Sequence, residues 1–160
     1  MDWLEQSTEN CSVQRTLDVI GDKWTIQVIR EAFHGVRRFD QMRDHIGVSD
    51  SVLSSRLRKL VDEGILETAE YRQAGYRRRK EYRLTASGRD LYPVIISLLS
   101  WGDAHRPDPA GPAIEIAHAD CGAPIDVEIR CSNGHRLSSP REAVTSTGPG
   151  AKPVPAAHAE

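Results

Sequence analysis

Apolar positions keep helical spacing as far as residue 61, alternate through the next twenty, and return to helical spacing from residue 85. Val13, Leu17 and Ile20 predict a first helix from Ser12. Gly21-Asp22 interrupts it, with Asp22 placed to cap a second helix that carries Trp24, Ile26, Val28, Ile29 and Phe33 and ends at His34-Gly35. Val36-Arg37-Arg38-Phe39 is a short extended link. Phe39, Met42 and Ile46 give a third, short helix closed by Gly47. Ser49 caps a fourth, whose inner face is Leu53, Leu57, Leu60 and Val61, and Gly64 stops it. Ile65–Tyr71 then reads as a strand, Gln73–Tyr76 as a turn and Arg79–Leu84 as the returning strand. Thr85–Gly88 opens a long final helix with Leu91, Ile95, Leu98 and Leu99 as its stripe and Trp101 near its end.

Helices followed by a hairpin, with two short helices joined by the tight link Ile46-Gly47-Val48, predict an α+β, mainly α, winged helix-turn-helix fold. The outer face of the fourth helix carries Ser51, Ser54, Ser55, Arg58 and Lys59, preceded by Ser49. Hydroxyls and cations on a short exposed helix suit phosphate and base-edge contacts in the major groove of double-stranded DNA. Arg58 is the candidate for a bidentate guanine contact, because its fork matches O6 and N7. The serines are candidates for phosphate contacts near the helix N-terminus. Arg56, at the edge of the apolar face, either joins that surface or pairs with Asp40 or Asp44. Arg77, Arg78, Arg79 and Lys80 in the wing are expected on the DNA backbone or in the minor groove. Tyr76 is either a sugar–phosphate contact or a structural turn residue.

Net charge is −2, so the whole chain is not basic, yet the stretch Arg72–Arg89 holds seven cations against one acid, Glu81. A basic patch on a near-neutral chain is compatible with nucleic-acid binding through one face. The 160 residues suffice for one domain and an appendage. No apolar run is long enough to span a bilayer, and the acidic start Met1–Glu5 lacks a signal-peptide pattern, so a cytoplasmic protein without membrane partners is expected. No nucleophile–base pair, Gly-rich phosphate loop or acidic metal cluster points to an enzyme.

Composition shifts after Asp103. Arg106–Pro112 reads as a stiff linker, and Ala113–Ala119 and Ile125–Arg130 as a β-hairpin joined by Asp120–Pro124, with Asn133-Gly134 a further turn. So few large apolar groups cannot hold a separate core, and this hairpin is expected to dock on the main domain or a partner subunit. Residues from Thr145 onward, rich in Gly, Pro and Ala, are expected to be disordered, and residues 1–10 to form a loose arm. His118, Cys121, Cys131 and His135 have zinc-type ligand chemistry at the hairpin ends, but a C-x2-C pair is absent, with Gly134 where its second cysteine would stand. A Cys121–Cys131 redox pair is the alternative, and no other cofactor is expected. The three cysteines, odd in number and widely spaced, argue against a secreted disulfide framework.

The run Cys11–Trp24 resembles the opening motif of the HxlR-type transcriptional regulators, within the MarR-like superfamily. Arg38–Met42, Leu53–Leu60 and Tyr82–Leu91 resemble three further blocks of that family, in order, so that the likeness covers about residues 11–103. It implies a dimeric, cytoplasmic winged-helix regulator, usually a repressor, and in several members a cysteine before the first helix that senses oxidants or electrophiles. Cys11 occupies that position. The helix N-terminus and Arg15 are placed to favour its thiolate; the alternative is a small buried side chain. A two-fold dimer would read a palindromic operator. Leu91, Ile95, Leu98 and Trp101 are the candidate interface, or else complete the monomer core. The division expected is a 1–10 arm, an 11–105 DNA-binding domain with a long C-terminal dimerisation helix, a 106–144 linker and hairpin, and a 145–160 tail. Two alternatives remain: a regulator that responds to a small-molecule ligand without thiol chemistry, and a winged-helix protein-interaction module. Four adjacent cations in the wing argue against the second.

Overall fold

Caps set the helices where the pattern places them. α1 is Ser12–Ile20, α2 Lys23–Phe33, α3 Phe39–Ile46 and α4 Asp50–Asp62. Asp22 Oδ1 accepts from the Trp24 and Thr25 amides at 3.0 and 3.2 Å, and Ser49 Oγ from the Val52 amide at 3.4 Å. Burial pushes the Asp22 carboxyl up, but the Thr25 amide and the Arg56 charge outweigh it and hold it below the usual carboxylate range. Gly47 ends α3 at φ 75°, a left-handed value that glycine adopts at no steric cost, and its N–H returns to Arg43 O at 2.8 Å.

The computed structural model describes residues 2–71 and 79–154. These fall into two compact units, one drawn from the chain up to Arg89 and from Thr145 onward, the other Asp90–Val144. In the first, α2, α3 and α4 pack on one another, and α4 on β1, Leu66–Tyr71. Its core is Ile20, Val28, Ile29, Met42, Leu53, Leu57, Leu60, Ile65 and Leu66, all buried. Each such leucine or isoleucine contributes roughly 1.5–3 kcal/mol. β1 pairs antiparallel with β2, Arg79–Leu84, in the register Leu66↔Leu84 to Tyr71↔Arg79. The link before α3 adds a third edge to this wing: the Tyr82 amide donates to Arg37 O at 2.8 Å, and Arg38 bridges Glu81. The expected turn with Gln73 and Tyr76, and with it Arg77 and Arg78, lies outside the described residues.

The single long helix expected from Thr85 is two. α5, Ala86–Arg89, is one turn, and α6 runs Tyr92–His105. Pro93 in the first turn of α6 has no N–H to continue a helical ladder from α5. Thr85 Oγ1 donates to Gly64 O and accepts from the Gly88 amide, so α5 is pinned to the turn before β1. A Cβ on Gly88 would lie 2.2 Å from Ile65 O, which only glycine avoids. Among the described residues no helix is long and apolar enough to cross a membrane.

In the second unit α6 is followed by an extension with two short hairpins, one closed by a bridge between Ala117 and Pro124 and one by a two-stranded pair. The His118 amide donates to Ala123 O and the Ile125 amide to Ile116 O, closing the expected hairpin. β3, Ile129–Arg130, pairs with β4, Arg136–Leu137, around the Asn133-Gly134 turn. A short 3-10 turn follows at Pro140–Glu142. The tail differs from its expected disorder as far as Val154. The Ser7 amide donates to Lys152 O and the Val154 amide to Glu5 O, both at 2.8 Å, and Gln6 bridges Pro153. Its glycines and prolines offer no side-chain pattern, but backbone groups alone suffice for a strand pairing.

Candidate nucleic-acid interface

α4 turns three of its leucines inward and leaves Ser51, Ser54, Ser55 and Arg58 exposed on the opposite face. At 100° per residue these four cluster on one side of the helix. Among the described residues no hydrogen bond or ion pair ties down Arg58. The turn before α4 is held by Arg43, whose guanidinium reaches Asp44 Oδ1 at 2.8 Å and Asp50 Oδ1 at 3.2 Å. Both acids raise its already high pKa, so the clamp stays charged at any physiological pH. Ser49 Oγ is taken up by its cap and lies 3.1 Å from Ser51 Oγ.

Two expected members of this surface are engaged elsewhere. Arg56 pairs with Asp22, not with Asp40 or Asp44: Nε lies 2.8 Å from Oδ1 and Nη2 3.3 Å from Oδ2. The Nε contact is off the hydrogen-bond direction and counts as an ion pair only. Lys59 donates to Asp18 O, in the last turn of α1, where the carbonyl end of a helix favours a cation. Arg56 and Lys59 therefore brace α4 against the start of α2 and the end of α1, both on one flank of the exposed face.

Beside the wing, a groove of about 420 Å³ is lined by Arg38, Phe39, Asp40, Arg79, Lys80 and Tyr82. Arg79 lies 3.6 Å from Asp40, and Lys80 is exposed. Arg37 and Arg38 went unmarked in the sequence because a two-residue link carries no periodicity; only their pairing with β2 brings them to the wing. Glu31 had no sequence signal either. Its side chain is 2% exposed, and it receives Arg30 on Oε1 at 2.6 Å while Oε2 meets His45 Nδ1 at 2.7 Å, joining α2 to α3. Burial pushes this carboxyl up, but the bonds to Arg30 and His45 outweigh it and hold it below its ordinary value.

Cys11 is the N-cap residue of α1, half-buried, with no side-chain cap bond. Arg15 bonds to Asn10 Oδ1 and to Ser12 Oγ at 3.2 Å, the residues on either side of Cys11, and among the described residues no hydrogen bond joins it to the thiol. Of the candidate interface residues, Leu98 and Trp101 are exposed, while Leu91 and Ile95 are half-buried. α1 adds Val13 and Leu17, 66% and 56% exposed. The four zinc-type residues do not assemble. Cys121 Sγ lies 3.5 Å from His118 Nδ1 at one turn, while Cys131 and His135 share the other, and no group of three potential ligands forms among the described residues.

The match that decides the family lies over this framework: the model of the HxlR-like helix-turn-helix family matches residues 19–109. The chain belongs to the HxlR-like helix-turn-helix family. Among its relatives is the uncharacterized HTH-type transcriptional regulator Rv3095 of Mycobacterium tuberculosis, 40% identical over 149 residues, 93% of each chain. Another, sll1512 of Synechocystis, is 40% identical over 93 residues, 58% of this chain and 67% of its own. The structure of PA1607, a candidate transcription factor, aligns with TM-score 0.78 and 30% identity over 88% of this chain and 96% of that one. The redox regulator HypR in its reduced form aligns with TM-score 0.53 and 34% identity, over 59% of this chain and 92% of its own. This HxlR-like chain is thus a transcriptional regulator of the winged-helix type, and its relatives are regulators rather than enzymes. A match over 149 of 160 residues necessarily includes the extension after residue 106, which a match over 93 residues need not.

Proposed function

We propose that the chain is a dimeric, sequence-specific repressor that reads a palindromic operator with the exposed face of α4. The observation that carries this reading is the division of labour on that helix. Arg56 and Lys59 are bound to neighbouring helices, whereas Arg58 stands exposed with Ser51, Ser54 and Ser55 around it. A cation without a partner among the described residues, on a helix braced along one flank, is pre-organised for a base edge. Lys80, Arg79 and the neighbouring Arg37 and Arg38 supply backbone contacts, and Arg77 and Arg78 extend the same cationic run in the sequence. Dimerisation has its support in Val13 and Leu17 on α1 and in Leu98 and Trp101 on α6, apolar groups exposed in the single chain. The test is fluorescence anisotropy on DNA from upstream of its own gene. Two protomers per duplex and an affinity that falls steeply with salt are expected; one protomer, or binding indifferent to salt, overturns the reading.

Cys11 is the second element of the proposal, as the point at which an oxidant or electrophile releases DNA. Its place before α1 and the likeness to the redox regulator HypR support this. Release by an electrophile in the wild type but not in Cys11→Ser is expected. Equal release in both transfers sensing to another thiol or to a non-covalent ligand.

A further inference from the structure

The tail of the chain returns to the residue proposed as sensor. Residues 145–154 run along the N-terminal arm, held by Ser7 N–H to Lys152 O, Val154 N–H to Glu5 O and Asn10 Nδ2–H to Gly150 O, each at 2.8 Å. Lys152 Nζ stands 3.6 Å from Glu9 Oε2. Between arm and tail lies a cleft of about 270 Å³, and Cys11 forms part of its wall, with Trp3 and Asn10 from the arm and Thr145–Gly148 from the tail. The thiol at the cap of α1 is therefore reached from outside past a segment more than 130 residues away in sequence.

We propose that residues 145–154 are a strap that controls access to Cys11 by pairing with the arm. Among the described residues the pairing is thin: two backbone bonds, one amide bond and an exposed ion pair, with Trp3 63% exposed beside them. Such an element lies at the low end of local stability and opens without unfolding the core. While it is closed, a small reagent enters the cleft and a bulky one is excluded. Once it opens, Asn10 also loses Gly150 O, and Asn10 is, with Ser12, one of the two residues that hold Arg15 on α1. Opening thus loosens the start of the helix whose far end anchors Lys59 of α4. The strap concerns the accessibility of the thiol and rests on the reading of Cys11 as sensor only for its regulatory meaning.

The test uses the full chain with Cys121→Ser and Cys131→Ser, which leaves Cys11 as its sole thiol. Hydrogen exchange at the Ser7 and Val154 amides reports the pairing. The rate of labelling by a bulky maleimide, against iodoacetamide as the small reagent, reports access. Val154→Pro removes one donor from the strap, and Lys152→Glu sets like charges against Glu9. Ser7 and Val154 are expected to be protected in the parent. The bulky reagent is expected to label the double variant about tenfold faster, the loss of a net hydrogen bond and an ion pair, with iodoacetamide changing far less. Unprotected amides, or equal maleimide rates in parent and variant, overturn the strap. Neither result bears on whether DNA is released through Cys11, which the Cys11→Ser comparison decides separately.

Discussion

Two amphipathic elements of this chain treat their apolar faces in opposite ways. In α4, Leu53, Leu57 and Leu60 are at most 1% exposed, whereas Ile125, Val127 and Ile129 of the extension are 40–67% exposed. Both follow a regular period in the sequence, 3.6 in the helix and 2 in the extension. The difference is what each has to pack on. α4 meets α2, α3 and β1 within its own unit. The extension pairs its own charges, Glu128 with Arg130 and Arg136, and these hold the Glu128 carboxyl below its usual range. A pattern thus specifies an element, but burial depends on a second surface. The buried apolar side chains lie almost wholly in the first unit, and Ile125, Val127 and Ile129 are not among them.

The most severe test of that contrast is Leu57→Ala, expected to cost about 2–5 kcal/mol in urea denaturation, because a buried leucine leaves a cavity in a core that collapses only in part. A cost under about 1 kcal/mol would mean that α4 is not a core element. Glu31→Gln follows, at about 1–3 kcal/mol, from the loss of a charge-assisted link between α2 and α3. The same group gives a pH signature. Its folded pKa is depressed, so its contribution is complete above the ordinary glutamate value of about 4.3 and is lost as pH falls through the lower folded value. Wild type should lose stability more steeply than Glu31→Gln on acidification below about pH 4.3, and parallel curves would remove Glu31 from the acid transition. Lys80→Ala should leave the fold intact and flatten the log–log salt dependence of DNA binding by about one unit; an unchanged slope would take Lys80 off the backbone. The smallest effect belongs to Ile129→Ala, within about 0.5 kcal/mol of wild type in urea. A loss comparable to that of Leu57→Ala would erase the contrast altogether.

Much of the first unit was legible because local rules decide it. Asp22, Gly47 and Ser49 mark helix ends through hydrogen bonds to near neighbours in sequence, and the switch from period 3.6 to period 2 at residue 65 fixes the wing. What was not legible involves partners far apart in the chain. Arg56 finds Asp22, 34 residues away, rather than Asp40 or Asp44, and Lys59 finds a carbonyl 41 residues away. Neither preference has a spacing signature, so both residues were grouped with Arg58 on a face they only flank. The break before α6 is legible in Pro93, whereas the apolar positions on both sides of it suggest one continuous helix. The tail was expected to be disordered because its composition buries nothing. Its pairing with the arm uses backbone groups that composition does not report.

The central claim is that α4 reads bases through Arg58. Its most direct test is competition binding against a panel of operators, each altered at one base pair, with wild type and Arg58→Ala. The variant is expected to lose about 1–3 kcal/mol on the intact operator and to become indifferent at one base pair per half-site, with discrimination elsewhere retained. A loss that is uniform across the panel would put Arg58 on the DNA backbone, and no loss at all would remove α4 from the interface.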